Sequence, residues 1–366
     1  MTTSQELWCE PPDEKRIKPV IISVSRKNSL PLQREKIAMT MNKKDLKIIF
    51  MGTPEFAVGT LRRLVEDGYN IVAVVTQPDK PVGRHQDHLQ PSEVKRYATE
   101  QGIPVLQPVK MKDPAFVEQL AAYHADLQVV VAFRMLPEVV WSMPRFGTFN
   151  VHAALLPQYR GAAPINWAII NGETMTGVTT FFLDKDIDTG RIILQKKFPI
   201  PDDADVEYVY DGLMHLGADI AEETINLVLD GDGHVDSTDQ NQLTATDCEL
   251  HQAPKIFKDT CKIDWTKKAK QVYDFVRGLS PYPCAWTTMQ PANGETGKAN
   301  TYKIFKTTKT GISCSEKPGT VSVRKNQLLV ACSDEWLSIE ELQPAGKKRM
   351  PATAFLNGIH SELTCI

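Results

Sequence analysis

LKIIFMGTPEFAVGTLRRLVEDGYNIVAVVTQ, residues 46–77, decides the fold of this chain. It opens on a short apolar run, Leu46 to Gly52, closed by glycine. Pro54 then stands near a helix start, Leu61, Leu64 and Val65 recur at helical spacing, and Gly68 acts as a stop. A second strand of buried type, Asn70 to Gln77, follows. Continuous apolar strands on either side of a helix indicate a parallel sheet covered on both faces. Outward from this unit, Ser92 to Gly102 reads as a helix and Leu127 to Ala132 as another apolar strand. Ligands of such a sheet gather at the carboxyl ends of its strands, where Gly52, Gln77, Phe133 and Asn150 fall. A dinucleotide site is disfavoured. In MGTPEFAVG, Pro54 takes the place of the second glycine of the fingerprint, where backbone must approach a pyrophosphate.

The next strand end carries the chemistry. In FNVHAALLPQYRGAAP, residues 149–164, Asn150 and His152 are two apart and so share one face of a strand. A lone histidine is more often a surface or core residue than a catalyst, so the pairing with Asn150 and the irregular loop after it carry the weight. That irregularity is read as the loop wrapping a ligand. Ala162 to Asn171 then looks helical, and residues 176–200 form two strands around a turn at Asp188-Thr189-Gly190, which places a carboxylate there. Asp184 is the local rival. Val206, Val209, Leu213, Leu216, Ile220 and Leu227 make Asp205 to Gly231 a long amphipathic helix that closes the domain.

The 366 residues suit two domains plus a tail. At 42% hydrophobic and 24% charged residues, with a mean hydropathy of -0.27, the chain reads as soluble and globular. No apolar run approaches the roughly 20 residues of a membrane helix. Seven scattered cysteines without a C-x-x-C pair argue for free thiols in a reducing compartment, against structural zinc, and for a cytoplasmic location. Residues 1–44 lack periodicity and read as a disordered extension without a signal peptide, and Met39 and Met41 offer later starts. The domains are expected at 45–232 and 260–366, with a polar linker at 233–259.

Charge divides along the same line. From Lys255 onward, 17 Lys and Arg face 10 Asp and Glu, net +7, leaving 25 against 35, net -10, in the first 254 residues. A basic module on an acidic one suits a polyanionic partner. One helix (Ala269, Val272, Val276, Leu279) stopped by Pro281 and Pro283 precedes short strands at CAWTTM, TYKIFKTT, GTVSVR, QLLVAC and WLSIEELQ. These predict a small barrel of a kind that often binds oligonucleotides.

IIFMGTPEFA, TQPDKPVGR, VVVAFRMLP, FNVHAALLPQYRGAAPINWA and DKDIDTG, then IDW, LSPYPCAW and LQPAGKKRM, together resemble the methionyl-tRNA formyltransferase family from Leu46 to about Leu363. The resemblance implies a Rossmann-like, mostly parallel α/β formyltransferase domain followed by a small OB-like C-terminal β-barrel. It implies transfer of formyl from 10-formyltetrahydrofolate, as co-substrate and without a metal, to initiator methionyl-tRNA. Asn150, His152 and Asp188 match the family's catalytic residues. Folate contacts are carried onto Ala154, Leu155, Leu156 and Pro157 and onto Arg134, Met135 and Leu136 within the Phe133 to Pro137 backbone, with the Asp184 to Asp188 loop also bordering the pterin. Where the family usually has Ser this chain has Ala154, so backbone contacts are expected to suffice. Thr53, Pro54 and Phe56 match the methionyl pocket. Arg84 matches the arginine that grips the acceptor stem, with His85-Gln86-Asp87-His88 in place of further lysines. Lys347, Lys348 and Arg349 are the implied phosphate contacts, and a monomer is expected. His85-x-x-His88 lacks a third metal ligand. Competing readings are a formyltransferase for glycinamide ribonucleotide or an amino sugar nucleotide, which would lack the basic barrel, a formate-releasing hydrolase, and an inert RNA-binding module.

Overall fold

The computed structural model describes residues 41–82, 88–243, 249–291, 299–358 and 363–365. Arg84 and all but the last four residues of the expected extension lie outside them. The first half of the chain runs β1 (Lys47–Gly52), α1 (Glu55–Glu66), β2 (Asn70–Val75), a small hairpin of β3 (Lys80–Val82) and β4 (His88–Gln90), α2 (Glu93–Glu100), β5 (Val105–Leu106), α3 (Pro114–Ala121), β6 (Leu127–Val131), α4 (Glu138–Trp141) and β7 (Thr148–His152). It continues through β8 (Arg160–Gly161), α5 (Pro164–Ile170), β9 (Met175–Phe182), β10 (Ile192–Pro199) and α6 (Val206–Asp230).

These strands build a seven-stranded sheet in the order β10-β9-β7-β6-β1-β2-β5. The five strands from β7 to β5 are parallel, and β9 and β10 add an antiparallel edge. Each apolar run expected from the sequence is a strand because burial on both faces rewards continuous hydrophobicity. Phe50, Phe149 and Phe181 are fully buried there, each contributing about 2 to 3 kcal/mol of transfer free energy. Gly52 closes β1 at a crowded point: a Cβ would sit 2.6 Å from the Ala57 side chain and 3.1 Å from the Val131 carbonyl. Side-chain caps set the helix starts, from Ser92 to the Lys95 N–H (3.1 Å), Asp113 to Ala115 (3.0 Å) and Asp205 to Tyr208 (3.1 Å).

The second half supplies β11 (Gln252–Ala253), α7 (Ala269–Arg277), β12 (Ala285–Pro291), β13 (Asn300–Ser313), β14 (Val321–Arg324), β15 (Gln327–Ala331), β16 (Glu335–Pro344), β17 (Met350–Pro351), α8 (Ala352–Leu356) and β18 (Leu363–Cys365). Its antiparallel sheet runs β14-β15-β16-β13-β12-β18, and the Cys365 N–H bonds the Gly319 carbonyl just before β14 at 2.9 Å. The sheet therefore nearly closes into a barrel, packed against α7 around Trp265, Val272, Val276 and Ile304.

α5 and α7 join the halves. Asn166 Nδ2 donates to the Gly278 carbonyl (2.9 Å), and Arg277 donates to Ala204 O (2.9 Å) while paired with the buried Asp274 (2.8 Å). Lys309 of β13 reaches Asp202, just past β10, at 2.5 Å.

The polar stretch between the halves is more ordered than its composition suggests. Gln240–Gln242 form a helical turn, and β11 pairs in parallel with β8 of the first half.

Candidate active site

A cavity of about 620 Å³ opens at the carboxyl ends of β1, β6 and β7. This is where a parallel sheet exposes the backbone of successive loops. Asn150 and His152 project into it from β7, as strand alternation requires, and Asp188 arrives from the turn between β9 and β10. Arg134, Met135 and Leu136 line another wall, with Val130, Phe133, Trp141, Ile165 and Leu183 supplying apolar surface.

His152 is buried, and its ring is held on two sides. Nε2 lies 2.9 Å from the Tyr159 carbonyl, which can only accept, so that nitrogen carries a proton. Nδ1 is left for proton exchange and faces Asp188 Oδ2 at 3.8 Å. The same carboxylate oxygen accepts the Gly161 N–H at 2.9 Å. Phe181 meets the imidazole edge-on, with ring centroids 6.4 Å apart.

Two polar atoms on the cavity wall are buried without a partner: Asn150 Oδ1 and Arg134 Nε. Such atoms are costly unless a ligand or solvent satisfies them. The other Arg134 nitrogens donate to the Pro108 carbonyl and, at 3.0 Å, to that of Val109. Burial lowers the guanidinium below its ordinary pKa, but an arginine remains charged.

The loops around His152 and Asp188 hold unusual backbone. Ala132, Tyr159 and Asp188 all have positive φ, at 47°, 59° and 55°, a region that costs a non-glycine residue about 1 kcal/mol or more. Ala132 and Asp188 line the cavity, and Tyr159 presents the carbonyl that His152 uses.

The remaining residues singled out by sequence fall in different places. Pro54 and Phe56 line the cavity, and the Phe56 N–H bonds the Tyr210 hydroxyl at 2.8 Å. Thr53 sits behind them, with its hydroxyl 3.5 Å from that of Thr76. Ala154, Leu155, Leu156 and Pro157 do not line the cavity. Ala154 is fully buried, and its carbonyl accepts from Thr179 Oγ1 at 2.6 Å. Leu156 packs with Phe181 and Ile192, and Leu155 lies against Gly177. Strand alternation ends at His152, and the following segment turns onto β9 instead of the cavity. The wall expected of it is formed by residues 132–136 and 183–188. Lys347, Lys348 and Arg349 are exposed between β16 and β17. Arg349 is paired with Glu341 and lies over the Phe305 ring.

The irregular 153–163 loop meets the cavity through Ala153 and Gly161 to Ala163, and its middle is held by other parts of the chain. The Tyr159 N–H bonds the His251 carbonyl, and those of Ala162 and Ala163 both bond Ala253. The Tyr159 and His251 rings stack with centroids 5.8 Å apart. Burial, then the bond to Glu173, holds the Tyr159 hydroxyl well above the ordinary phenol pKa.

A sequence model of the formyl transferase family matches residues 46–225, and one of the formyl transferase C-terminal domain matches 255–360. The methionyl-tRNA formyltransferase of Parabacteroides distasonis is 58% identical over 87% of this chain and 97% of its own length. That of Flavobacterium johnsoniae is 44% identical over 86% and 96%. Among solved structures, the sugar 3N-formyltransferase WlaRD, determined in the presence of 5-N-formyl-THF, superposes with a TM-score of 0.57 at 20% identity, covering 83% of this chain and 99% of its own. HypX from Aquifex aeolicus, in complex with tetrahydrofolic acid, gives 0.54 at 17% identity over 87% of this chain and 48% of its own. At those identities the two structures establish the fold alone. With both domain models matched and relatives aligned over nearly their whole length, the chain belongs to the formyltransferase family, alongside the methionyl-tRNA formyltransferases.

Proposed function

We propose that this protein transfers the formyl group of 10-formyltetrahydrofolate to the amino group of methionyl initiator tRNA, with Asn150, His152 and Asp188 as its catalytic residues. The observation that carries the proposal is their convergence from two separate segments on one cavity.

The residues fit a folate donor. The cavity offers apolar walls for a flat heterocycle and the backbone of 132–136 for orientation. The two orphaned polar atoms, Asn150 Oδ1 and Arg134 Nε, await partners there.

In the reaction the neutral amine attacks the formyl carbon, giving a tetrahedral intermediate with negative charge on its oxygen. The Asn150 carboxamide donates toward that oxygen, a type of contact worth about 3 to 4 kcal/mol in related acyl transfers. The amine then loses a proton, N10 gains one, and the C–N10 bond breaks to leave formyl on the amine. His152 exchanges the proton at Nδ1, since Nε2 is committed to Tyr159. Asp188 orients the ring and stabilises its cationic form, directly or through one water across the 3.8 Å gap.

Phe56 and Pro54 bound the end of the cavity where the methionyl side chain enters. The exposed Lys347 and Lys348 contact tRNA phosphates, and Arg84 grips the acceptor stem.

Incubating the purified protein with 10-formyltetrahydrofolate and a panel of amines tests the assignment. Formyl should appear on methionyl-tRNA. Transfer to glycinamide ribonucleotide or an amino sugar nucleotide, with none to methionyl-tRNA, overturns it.

A further inference from the structure

Arg160 and Gly161 belong to the site's sequence pattern, yet Arg160 does not line the cavity. Its guanidinium turns away and donates through Nε (3.0 Å) and Nη2 (2.5 Å) to Oε1 of Gln240. Gln240 lies in the connection between the halves and is 2% exposed. Its other end donates from Nε2 to the carbonyls of Asp188 (2.9 Å) and Gly190 (2.8 Å). One carboxamide therefore ties the 160–161 segment to the turn that carries the catalytic carboxylate.

We infer that Gln240 is a positioning residue for the formyl transfer, holding Asp188 at its working place beside His152. The inference rests on the catalytic reading of Asp188 given above.

Three observations support it. Asp188 is held at a φ of 55°, a backbone state that needs outside restraint, and Gln240 bonds its own carbonyl. The Asp188 carboxylate accepts the Gly161 N–H, and Arg160, next to Gly161, is the residue that Gln240 grips from the other side. The same connection also reaches the histidine: the His251 carbonyl takes the Tyr159 N–H at 2.7 Å, and the Tyr159 carbonyl holds Nε2. Both members of the pair thus rest on residues that precede the second domain. A buried amide using donors and acceptor together in this way fixes three backbone or side-chain groups at once.

Gln240→Glu is the discriminating variant. It keeps an acceptor, now charged, for Arg160 and loses both donations to the turn. Gln240→Met is nearly isosteric and loses the bonds to Arg160, Asp188 and Gly190. Displacement of a catalytic group by about 1 Å can cost on the order of 100-fold in rate, so Gln240→Glu should lower kcat by about 10- to 100-fold. KM for both substrates should stay within about threefold, because no substrate contact is lost. Combined with Asp188→Asn, the two losses should not multiply.

A kcat within twofold of wild type in a folded Gln240→Glu protein overturns the inference, as does full multiplication with Asp188→Asn. If Gln240→Met does not fold, the Glu variant still decides. If Asp188→Asn alone keeps wild-type kcat, the catalytic reading of Asp188 has failed, an outcome distinct from an inert Gln240→Glu.

Discussion

His152 Nδ1 and Asp188 Oδ2 stand 3.8 Å apart, and the carboxylate oxygen is also fixed by the Gly161 N–H. His152 ends β7 and Asp188 lies in the turn that follows its neighbour β9, so their meeting depends on the β7–β9 pairing register, which sets His152 opposite Thr179. A gap of this size is closed by a small ring rotation or spanned by one water. It suits a carboxylate that orients an imidazole and stabilises its cation without taking the proton itself.

Asn150→Ala should lower kcat by about 100- to 1,000-fold, the usual result of removing one oxyanion donor, with KM for tRNA little changed. Steady-state formylation with both substrates varied checks it. A rise in KM at constant kcat would place Asn150 in binding instead of in stabilising charge.

Gly161→Ala should cost about 2 to 4 kcal/mol of stability, through strain and steric overlap together. Its φ is 127°, and a Cβ there would stand 2.4 Å from the Ala253 carbonyl. Thermal unfolding measures the loss. A variant as stable as wild type would mean that β8 and β11 do not pack as closely as described.

Much of the catalytic half is legible in sequence, and the reasons are local. β1, β2 and β6 announce themselves as nearly continuous apolar runs, and α6 by its regular spacing between Asp205 and Gly231. Asn150 and His152 share a face by alternation alone. α3 has a start signal in Asp113-Pro114, whose carboxylate accepts the Ala115 N–H, but its eight residues bury only Phe116 and Leu120, too few for a period to stand out. β5 and β18 are two and three residues long, too short for any period to show. The placement of 154–157 against β9 and the roles of Gln240 and Tyr159 were beyond reach, because each depends on partners far along the chain.

The cross-domain pair Asp202–Lys309 should show in the pH dependence of stability. Hydrogen bonding to Lys309 holds the Asp202 carboxyl below its ordinary value of 3.8, against a desolvation that pushes it up. A depressed folded-state value means the contribution is present above 3.8 and lost as pH falls through the lower folded value. Asp202 is largely exposed, so the pair is worth at most about 1 kcal/mol. Asp202→Asn should lower the Tm by a few degrees or less at pH 7, and by progressively less as pH falls below 3.8. An effect that does not shrink on acidification would exclude the ion pair as its cause.

Binding of tRNA should weaken linearly with the logarithm of salt concentration. Replacing Lys347 or Lys348 by Ala should reduce that slope by about 1 each. Arg349→Ala should reduce it less, because Glu341 already offsets that charge. Filter binding across a salt series compares the three. Unchanged slopes for both lysines would remove this turn from the tRNA interface.

Single-turnover formyl transfer by His152→Ala, with tRNA affinity measured on the same preparation, tests the central claim most directly. Removing the proton-exchanging ring should slow transfer by about 1,000-fold or more while tRNA binding is retained. Transfer within about tenfold of wild type, or a large loss of tRNA affinity, would contradict the placement of His152 at the reacting atoms.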